Sequence, residues 1–366
     1  MKILILHVEA GYGHRKAAEA VGNELTSRKI PGLEVEVLDA LEKTNPLFRR
    51  AYPAVYFRLV LWVPWLWGFF FHVVDLPWIQ PLVVICRRIF NSLNAGGLHA
   101  FLKEERFDYV FTTHFMANEV TAALKKTGAI QSKLITAVTD FDVHRIWLST
   151  QTDCYAVASD WTQQKLLQLG VAKEKIRVTG IPVGEQFAPP ADRGELKKKL
   201  GLKENIFTVL MATGSFGVGP IEDILRILEL EDGLQVLVVC GYNRSLAERL
   251  RGGNYRGAKI LGLVENMNEL MAVSDCMVTK PGGLSIAEAL VSQLPMIFFY
   301  PIPGQETGNV RVLHEYGIGS LPLDVQGVAG ELRKLKSSRD AHLTAVKQTQ
   351  RLARPAAVRD IISLIK

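Results

Sequence analysis

Short apolar runs alternate along this chain with stretches whose apolar residues recur every four positions. Residues 2–8 form an almost unbroken apolar run, which indicates a strand buried on both faces. Ala17, Val21 and Leu25 follow at intervals of four, the pattern of a helix with one buried face. Glu34–Asp39 alternates and predicts a second strand. A strand, a glycine turn, a helix and a strand in this order open a doubly wound α/β domain.

The same rhythm resumes in the second half of the chain. Residues 207–212, 235–240 and 296–300 predict strands, with helical patterns between them. Proline and alanine interrupt the rhythm within 183–192, which predicts a linker. A chain of 366 residues is also long for a single core. We therefore predict an N-terminal α/β domain over 1–183, a C-terminal α/β domain over 184–345 and a final helical segment over 346–366.

The segment 45–88 departs from this rhythm because it is rich in aromatic residues. It holds four of the six tryptophans, and residues 59–71 form a run of 13 without a charge. A membrane-spanning helix needs about 20 apolar residues, so this run is short for a span. We expect the segment to lie in a membrane interface, with tryptophan at headgroup depth and arginine near lipid phosphate. A buried helix pair and a true span are the alternatives. The flanking arginines are Arg49, Arg50, Arg58, Arg87 and Arg88.

Composition narrows the class of protein and its compartment. Hydrophobic residues make up 48% and charged residues 22%, as in globular domains. The net charge of +6 permits attraction to an anionic surface without indicating nucleic acid. Cys86, Cys154, Cys240 and Cys276 include no C-x-x-C pair, so we expect reduced core thiols in a cytosolic protein. The first apolar run is too short for a signal peptide, which predicts retention in the cytoplasm.

One group of candidate binding residues lies within 278–288, where a predicted strand ends and a Pro-Gly-Gly turn begins a helical pattern. Glycines let a ligand approach the backbone, and a helix N-terminus offers N–H groups to an anion. Gly214-Ser215 is a second turn of this kind. Glu288, expected on the first helical turn, suits a diol such as ribose, and Gln305 with Glu306 suits neighbouring sugar hydroxyls. The pattern predicts a site for a nucleoside diphosphate and its sugar.

A second group of candidate residues, suited to removing a proton from an acceptor hydroxyl, lies in the N-terminal half of the chain. His14 follows the first strand, and an imidazole is the commonest general base near neutral pH. Asp140 and His144 follow the strand predicted at 134–138. Each has a plainer interpretation, since a histidine at a helix start often caps or packs, and turn residues are often structural. Their joint occurrence with the glycine turns, at strand ends of two α/β domains, favours a site.

Three motifs together resemble the diacylglycerol glycosyltransferases: Gly11-Tyr12-Gly13-His14, the stretch TKPGGLSIAE at 279–288, and PGQETGN at 303–309. This family includes the monogalactosyldiacylglycerol synthases of plastids and the bacterial processive diacylglycerol glucosyltransferases. Both are related to the enzyme that adds N-acetylglucosamine to lipid I. The resemblance covers most of the chain and is weakest over 45–106. The first turn has fewer glycines than the lipid I relative, which argues against a role in peptidoglycan synthesis.

The resemblance implies a GT-B fold, with two Rossmann-like domains facing a central cleft and the last helix crossing back to the first domain. It implies an inverting transfer of glucose or galactose from a UDP-sugar to diacylglycerol, without metal or other cofactor, at the cytoplasmic face of the membrane. His14 or Asp140 would be the base. The implied UDP-sugar contacts are Gly214, Ser215, Gly283, Leu284 and Ser285 for the diphosphate, Val264 near uracil, Glu288 for ribose, and Gln305, Glu306 and Asn309 for the hexose. The implied acceptor and membrane residues are Gly13, Arg58, Trp62, Trp65, Trp67, His144 and Trp147.

Other functions stay open at this point. The acceptor could be a polyprenyl or other lipid, and the sugar N-acetylglucosamine. A membrane-bound sugar-nucleotide sensor without catalysis would carry the same binding motifs. An epimerase of UDP-sugars could use the same two-domain fold and would not need the tryptophan-rich segment. The choice between glucose and galactose, the number of sugars added and the oligomeric state are also open.

Overall fold

The structure is a computed structural model that describes residues 1–9, 11–190, 192–212, 214, 217 and 219–365. The chain forms two compact units. The first comprises Met1–Gly184, Ile302–Gly308 and Ala356–Lys366, and the second comprises Glu185–Pro301 and Asn309–Pro355. This division differs from the predicted domains in three places. Gly184 and residues 302–308 belong to the first unit, and residues 346–355 belong to the second.

Each unit contains one parallel sheet. In the first unit the strand order is β2-β1-β3-β4-β5-β6, and in the second it is β11-β10-β7-β8-β9. The strands are β1 (Lys2–His7), β2 (Glu34–Asp39), β3 (Tyr109–Thr112), β4 (Lys133–Ala137), β5 (Cys154–Val157), β6 (Ile176–Val178), β7 (Phe207–Ala212), β8 (Leu234–Val239), β9 (Ala258–Leu261), β10 (Cys276–Thr279) and β11 (Met296–Phe298). Two parallel α/β sheets are the fold class that the hydrophobic pattern predicts, and this prediction is confirmed.

Helices connect the strands and cover the sheets. They are α1 (Tyr12–Ser27), α2 (Pro46–Trp62), α3 (Pro64–Val73), α4 (Gln80–Asn94), α5 (Gly96–Glu105), α6 (Phe115–Lys126), α7 (Asp160–Gln168), α8 (Arg193–Lys199), α9 (Ile221–Leu228), α10 (Arg244–Gly252), α11 (Met267–Val273), α12 (Gly283–Val291), α13 (Gln305–Glu315), α14 (Val325–Ser337), α15 (Arg339–Thr349) and α16 (Ala357–Ile362). The chain passes from the first unit to the second within α13.

The first sheet is buried on both faces because successive residues of β1 point to opposite sides. Ile3 and Ile5 belong to a cluster that includes helix α16, whereas Leu4 and Leu6 belong to a cluster with helices α5 and α6. All four side chains are fully buried. From α16, Ile361 packs in the same cluster as Ile3 and Ile5. The last helix therefore completes the core of the first unit, as the fold class predicted.

Two local predictions need correction. Glu288 is the sixth residue of α12, so its carboxylate lies on the second turn and not the first. The four cysteines are free thiols, but Cys86 is exposed rather than a core residue. The reason is that the apolar face of α4, which carries Cys86, points outward.

Helices α2, α3 and α4, with residues 74–79 that join α3 to α4, form an apolar helical layer with many exposed aromatic and aliphatic side chains. Trp62, Trp65 and Trp78 are 80%, 69% and 76% exposed, which a buried helix pair would not show. The other exposed large apolar residues of the layer are Leu47, Val55, Leu61, Phe69, Phe70, Leu76, Leu82, Ile85, Ile89, Phe90 and Leu93. Among the residues described, no single helix has the length and apolar character to cross a membrane, although α2 and α3, bent by 113°, meet both criteria as a pair.

Helix α4 is amphipathic, but its apolar face is exposed and its polar face is directed into the protein. Its outer face carries Leu82, Ile85 and Ile89, each more than half exposed. Its inner face carries Arg87 and Asn91. Arg87 donates to the carbonyl of Ile146 at 3.0 Å, and its Nε lies 3.2 Å from a carboxylate oxygen of Glu119. Asn91 Nδ2 donates to the same oxygen at 3.1 Å. Arg87 is therefore bound within the protein, which corrects its expected place near lipid phosphate.

Replacement of Ile361 by alanine should destabilise the first unit by about 2–5 kcal/mol, because it leaves a cavity beside β1. Hydrogen exchange should show lost protection in β1 and β3, and less change in β7 and β10. Leu343→Ala, at a half-exposed position of α15, is the control and should change stability by less than about 0.5 kcal/mol. Equal loss of protection in both sheets would contradict the assignment of α16 to the first unit.

Candidate functional site

Polar side chains of the first unit gather at the carboxyl edge of its sheet. Strands β1, β3 and β4 are parallel neighbours, so the segments that follow them lie at one edge. These segments contain His14, Thr113 and Thr139. Thr113 Oγ1 donates to the carbonyl of His14 at 2.8 Å, which ties the loop after β3 to the first turn of α1.

The imidazole of His14 has a defined tautomer. Its Nδ1 lies 2.7 Å from the carbonyl oxygen of Thr113 and 3.1 Å from Thr139 Oγ1. Since a carbonyl can only accept, Nδ1 carries the proton and Nε2 carries the lone pair. Burial lowers the pKa of His14 from 6.5 to about 4. The ring is therefore neutral near pH 7, and Nε2 can accept a proton from a ligand.

Two other histidines at this edge have structural roles. His114 caps α6, with Nδ1 accepting from the backbone N–H of Met116, and burial holds its pKa well below the ordinary value. His144 Nδ1 accepts from the N–H of Ile146, so its Nε2 donates to the carbonyl of Phe71 at 2.8 Å. With both nitrogens bonded, His144 fastens the loop after β4 to α3. It was predicted as an acceptor residue, and the structure gives it a positioning contact.

Asp140 follows Thr139 and is 5% exposed. Gln305 Nε2 lies 3.1 Å from its Oδ1 and 3.3 Å from its Oδ2, so the amide donates to the carboxylate. Both residues belong to the first unit, since Gln305 lies in the segment Ile302–Gly308. The sequence placed Gln305 with the hexose and Asp140 with the acceptor, and the structure brings the two side chains into direct contact.

The segment Ile302–Gly308 is fixed by close packing. Gly304 has φ of +88°, and a Cβ there would lie 2.5 Å from the ring of Phe71. A Cβ on Gly68 would lie 2.7 Å from Cβ of Pro303. Glu306 is buried, and its Oε2 accepts from the N–H of Ile302 at 2.7 Å. Only glycine fits at position 304, so the start of α13 packs closely against α3.

The candidate donor residues of the second unit gather at the carboxyl edge of its sheet. Strands β7 and β10 are parallel neighbours, so Gly214 and Lys280, which follow them, lie side by side. Gly214 has φ of +75°, and a Cβ there would lie 3.6 Å from Cε of Lys280. Gly282 is the N-cap of α12, and Gly283 is its first residue. The first backbone N–H groups of α12 therefore lie where the sequence predicts a diphosphate.

Of the remaining residues predicted to contact the UDP-sugar, those that the structure describes lie in loops and at helix starts of the second unit. Val264 lies in the loop between β9 and α11, and Leu284 and Ser285 lie in the first turn of α12. Asn309 is fully buried, and its Nδ2 donates to the carbonyl of Pro281 at 3.0 Å. This bond ties α13 to the Pro-Gly-Gly turn within the second unit. Ser215 lies outside the described residues.

The acceptor and membrane predictions divide into exposed and buried residues. Arg58, Trp62 and Trp65 are exposed on the apolar helical layer. Trp147 is 2% exposed, and its ring centroid lies 6.4 Å from that of His14. Trp67 is partly buried, with an edge contact to Tyr56 at 5.1 Å and an indole N–H that has no partner among the described residues. Gly13 lies in the first turn of α1.

Sequence reasoning missed Lys280 and Thr113. Lys280 is a cation directly before the Pro-Gly-Gly turn, and this position is the signal that could have identified it. Thr113 orients His14 through its backbone carbonyl, which no residue pattern reveals. The same holds for Phe71. Its carbonyl accepts from His144, and its ring lies where a Cβ on residue 304 would be.

Comparison with known families matches both halves of the chain. Residues 14–183 match the family model described as monogalactosyldiacylglycerol (MGDG) synthase. Residues 208–317 match the glycosyltransferase family 28 C-terminal domain.

Curated relatives match the chain over most of its length. The processive diacylglycerol beta-glucosyltransferase of Bacillus pumilus (strain SAFR-032) is 32% identical, over 86% of this chain and 82% of that protein. The protein of the same description from Bacillus cereus (strain 03BB102) is 30% identical, over 100% of this chain and 93% of that protein.

Solved structures share the fold. MurG of Acinetobacter baumannii has a TM-score of 0.61 at 14% identity, over 100% of this chain and 99% of that one. UDP-GlcNAc 2-epimerase of Neisseria meningitidis, bound to UDP-GlcNAc, has a TM-score of 0.62 at 12% identity, with the same coverage. At these identities the likeness shows the two-domain GT-B fold alone. The sequence relatives show more: the chain belongs to the diacylglycerol glycosyltransferase family.

Proposed function

We propose that this protein transfers glucose from UDP-glucose to the hydroxyl of diacylglycerol, with inversion at the anomeric carbon, at the cytoplasmic face of a membrane. The observation that carries this proposal is the match of the entire chain to relatives described as processive diacylglycerol beta-glucosyltransferases. UDP-glucose is an α-glycoside, so a β-linked product requires inversion. The word glucosyltransferase in those descriptions favours glucose over galactose.

The arrangement of His14 supports its role as the base. Its Nε2 would take the proton of the acceptor hydroxyl while the hydroxyl oxygen forms a bond to C1 of the sugar. The bond from C1 to the diphosphate breaks, and UDP leaves with the electron pair. A neutral imidazole held by the Thr113 carbonyl needs no reorientation before this step. Asp140 is the competing base, and we assign it instead to stabilising positive charge at C1.

The second unit carries groups suited to UDP. The N–H groups at the start of α12 and the turn at Gly214 suit the diphosphate, whose negative charge the helix dipole stabilises. Lys280 adds a cation beside this turn. Glu288 on the second turn is our candidate for the ribose hydroxyls, and Val264 for the uracil. These groups stabilise the leaving diphosphate without requiring a metal ion.

The apolar helical layer suits a membrane interface. Its outer side chains are already exposed, so their transfer to lipid would add apolar burial of about 1.5–3 kcal/mol for each large side chain. Arg49, Arg50, Arg58 and Arg88 are exposed and flank the layer, which suits an anionic surface. The polar inner face of α4 leaves only its apolar face for an external contact. An acceptor that lives in a bilayer would be reached in this way.

Incubation with UDP-glucose, UDP-galactose or UDP-N-acetylglucosamine and diacylglycerol vesicles should give a β-glucosyl lipid from UDP-glucose, with and without EDTA. Mass spectrometry and thin-layer chromatography identify the product and the number of sugars. A galactolipid would correct the sugar alone. The absence of glycolipid from every hexose donor would refute the proposal, and interconversion of UDP-sugars without lipid would favour the epimerase.

His14→Ala should lower kcat by about 10²–10⁴-fold and leave the KM for the UDP-sugar within about twofold, because the base acts only in the transition state. Added imidazole should restore part of the rate. Because the wild-type ring stays neutral until the pH approaches 4, kcat should remain constant down to about pH 5.5. His314→Ala, at an exposed position of α13, is the matched control. Rescue of Asp140→Ala by added formate or azide, with no imidazole rescue of His14→Ala, would transfer the role of base to Asp140.

Replacing Leu82, Ile85 and Ile89 together by serine should weaken binding to anionic vesicles at least tenfold, as measured by flotation. Since all three side chains are already exposed, the melting temperature should change little. Leu230→Ser with Leu323→Ser, at exposed positions of the second unit, should bind like the wild type. High salt should weaken wild-type binding by screening the arginines. Unchanged flotation of the triple variant would exclude this layer as the membrane contact.

A further inference from the structure

Gln305 contacts Asp140 across 165 positions of sequence. Its Nε2 lies within 3.3 Å of both carboxylate oxygens. A hydrogen bond to a charged group is roughly twice as strong as one between neutral groups. Asp140 is buried and Gln305 is partly buried, so water competes weakly for this contact. The contact is therefore strong enough to fix both side chains.

The contact determines how the amide is oriented. The NH₂ end must point at the carboxylate, because the opposite orientation would set the amide oxygen against two carboxylate oxygens. The carbonyl Oε1 then points away from Asp140 and has no hydrogen-bond partner among the described residues. Since the side chain is partly exposed, Oε1 is accessible to a ligand hydroxyl. One end of Gln305 is engaged, and the other end can accept.

We propose that Gln305 is a positioning residue that joins the bound sugar to Asp140. Its Oε1 accepts a hydrogen bond from one hydroxyl of the hexose, while its Nε2 holds the carboxylate of Asp140 in place. This inference rests on the proposed function and adds a second role to a residue expected only to recognise the sugar. The carboxylate then faces the positive charge that develops at C1 in an oxocarbenium-like transition state.

Packing around Gln305 favours a fixed bridge over a mobile switch. Gly304 is pressed against the Phe71 ring, and a Cβ on Gly308 would lie 2.8 Å from Oδ2 of Asp142. The Gly304 N–H donates to Thr307 Oγ1 at 3.0 Å. Close packing on both sides of the turn opposes movement of the start of α13. A sugar whose hydroxyl misses Oε1 would therefore lose its own hydrogen bond, because the amide stays with Asp140.

The bridge couples sugar recognition to rate. A hexose that differs at the hydroxyl bound by Oε1 should react more slowly and not merely bind more weakly, because its C1 would no longer be held opposite the carboxylate of Asp140. Groups that carry or could carry charge around Asp140 come from several elements. They are Glu306 on α13, Tyr56 on α2 with its pKa raised by burial, the ion pair of Asp142 with Lys165 on α7, and His14 through Thr139.

Two substitutions separate the ends of Gln305. Gln305→Glu keeps an acceptor for the sugar but replaces the donor to Asp140 with a second carboxylate. We expect the KM for the UDP-sugar to stay within about twofold and kcat to fall tenfold or more. The acid limb of kcat should move up by about one pH unit or more, because adjacent carboxylates resist joint ionisation. Gln305→Met removes both ends and should raise KM about tenfold and also lower kcat.

The controls make the outcome decisive. Gln131→Glu introduces the same charge at an exposed loop of the same unit and should behave like the wild type. If Gln305 contacts only the sugar, Gln305→Glu will leave kcat and its pH profile unchanged, which overturns the bridge. An Asp140→Asn variant with more than half the wild-type kcat would overturn it as well.

A readout without catalysis separates this inference from the proposed function. The melting temperature of Gln305→Glu should fall further below that of the wild type as the pH rises from 4 to 8, because two carboxylates then face each other. Gln305→Met should show a constant difference. A wild type that makes no glycolipid would refute the proposed function, whereas a pH-independent difference for Gln305→Glu would refute the contact itself.

Discussion

Burial of each parallel sheet on both faces is the constraint on which this structure depends. Side chains of β1 alternate between two apolar clusters, so neither face can accommodate a polar group without a partner. Polar chemistry is therefore confined to the segments that follow the strands. His14 follows β1, Thr113 follows β3, and Asp140 follows β4. In the second sheet the same constraint places Gly214 and the Pro-Gly-Gly turn beside each other, after β7 and β10.

The constraint explains why much of the fold could be predicted. A strand buried on both faces leaves a continuous apolar run, and its end marks the functional edge without any knowledge of tertiary structure. His14 and Asp140 could be selected on that basis. The contact of Asp140 with Gln305 could not, because it depends on the chain returning to the first unit after most of the second has formed. Likewise, the carbonyl of Thr113 orients His14, and every residue has a carbonyl.

Periodicity was least informative in the apolar helical layer. It identifies an apolar face but not the direction in which that face points. In α4 the face that would normally be buried is exposed, and Arg87 and Asn91 are directed inward to Glu119. Cys86 and Arg87 were therefore assigned to the wrong sides of the helix. Only the partner on α6 distinguishes the two orientations, and Glu119 has no feature in the sequence that links it to α4.

The polar contacts of this layer also reach the candidate site. Arg87 bonds to the carbonyl of Ile146, Asp75 accepts from the N–H of Arg145, and His144 donates to Phe71. Each of the three bonds involves a residue within 144–146, in the segment that follows β4. These bonds tie the layer to the loop within the first unit. A lipid contact made by the outer face of the layer would therefore be connected, through these bonds, to the segment that contains Asp140.

Helix α16 has a consequence for the order in which the chain can fold. The first unit draws Ile361 and Ile362 into the cluster beneath β1, yet these residues follow the whole of the second unit in sequence. During synthesis the second unit has its complete sequence earlier than the first, although it begins later. The N-terminal sheet must wait with one face incompletely covered, while its apolar helices are already exposed. We expect the nascent chain to be most prone to aggregation during this interval, because its apolar surface is then least covered.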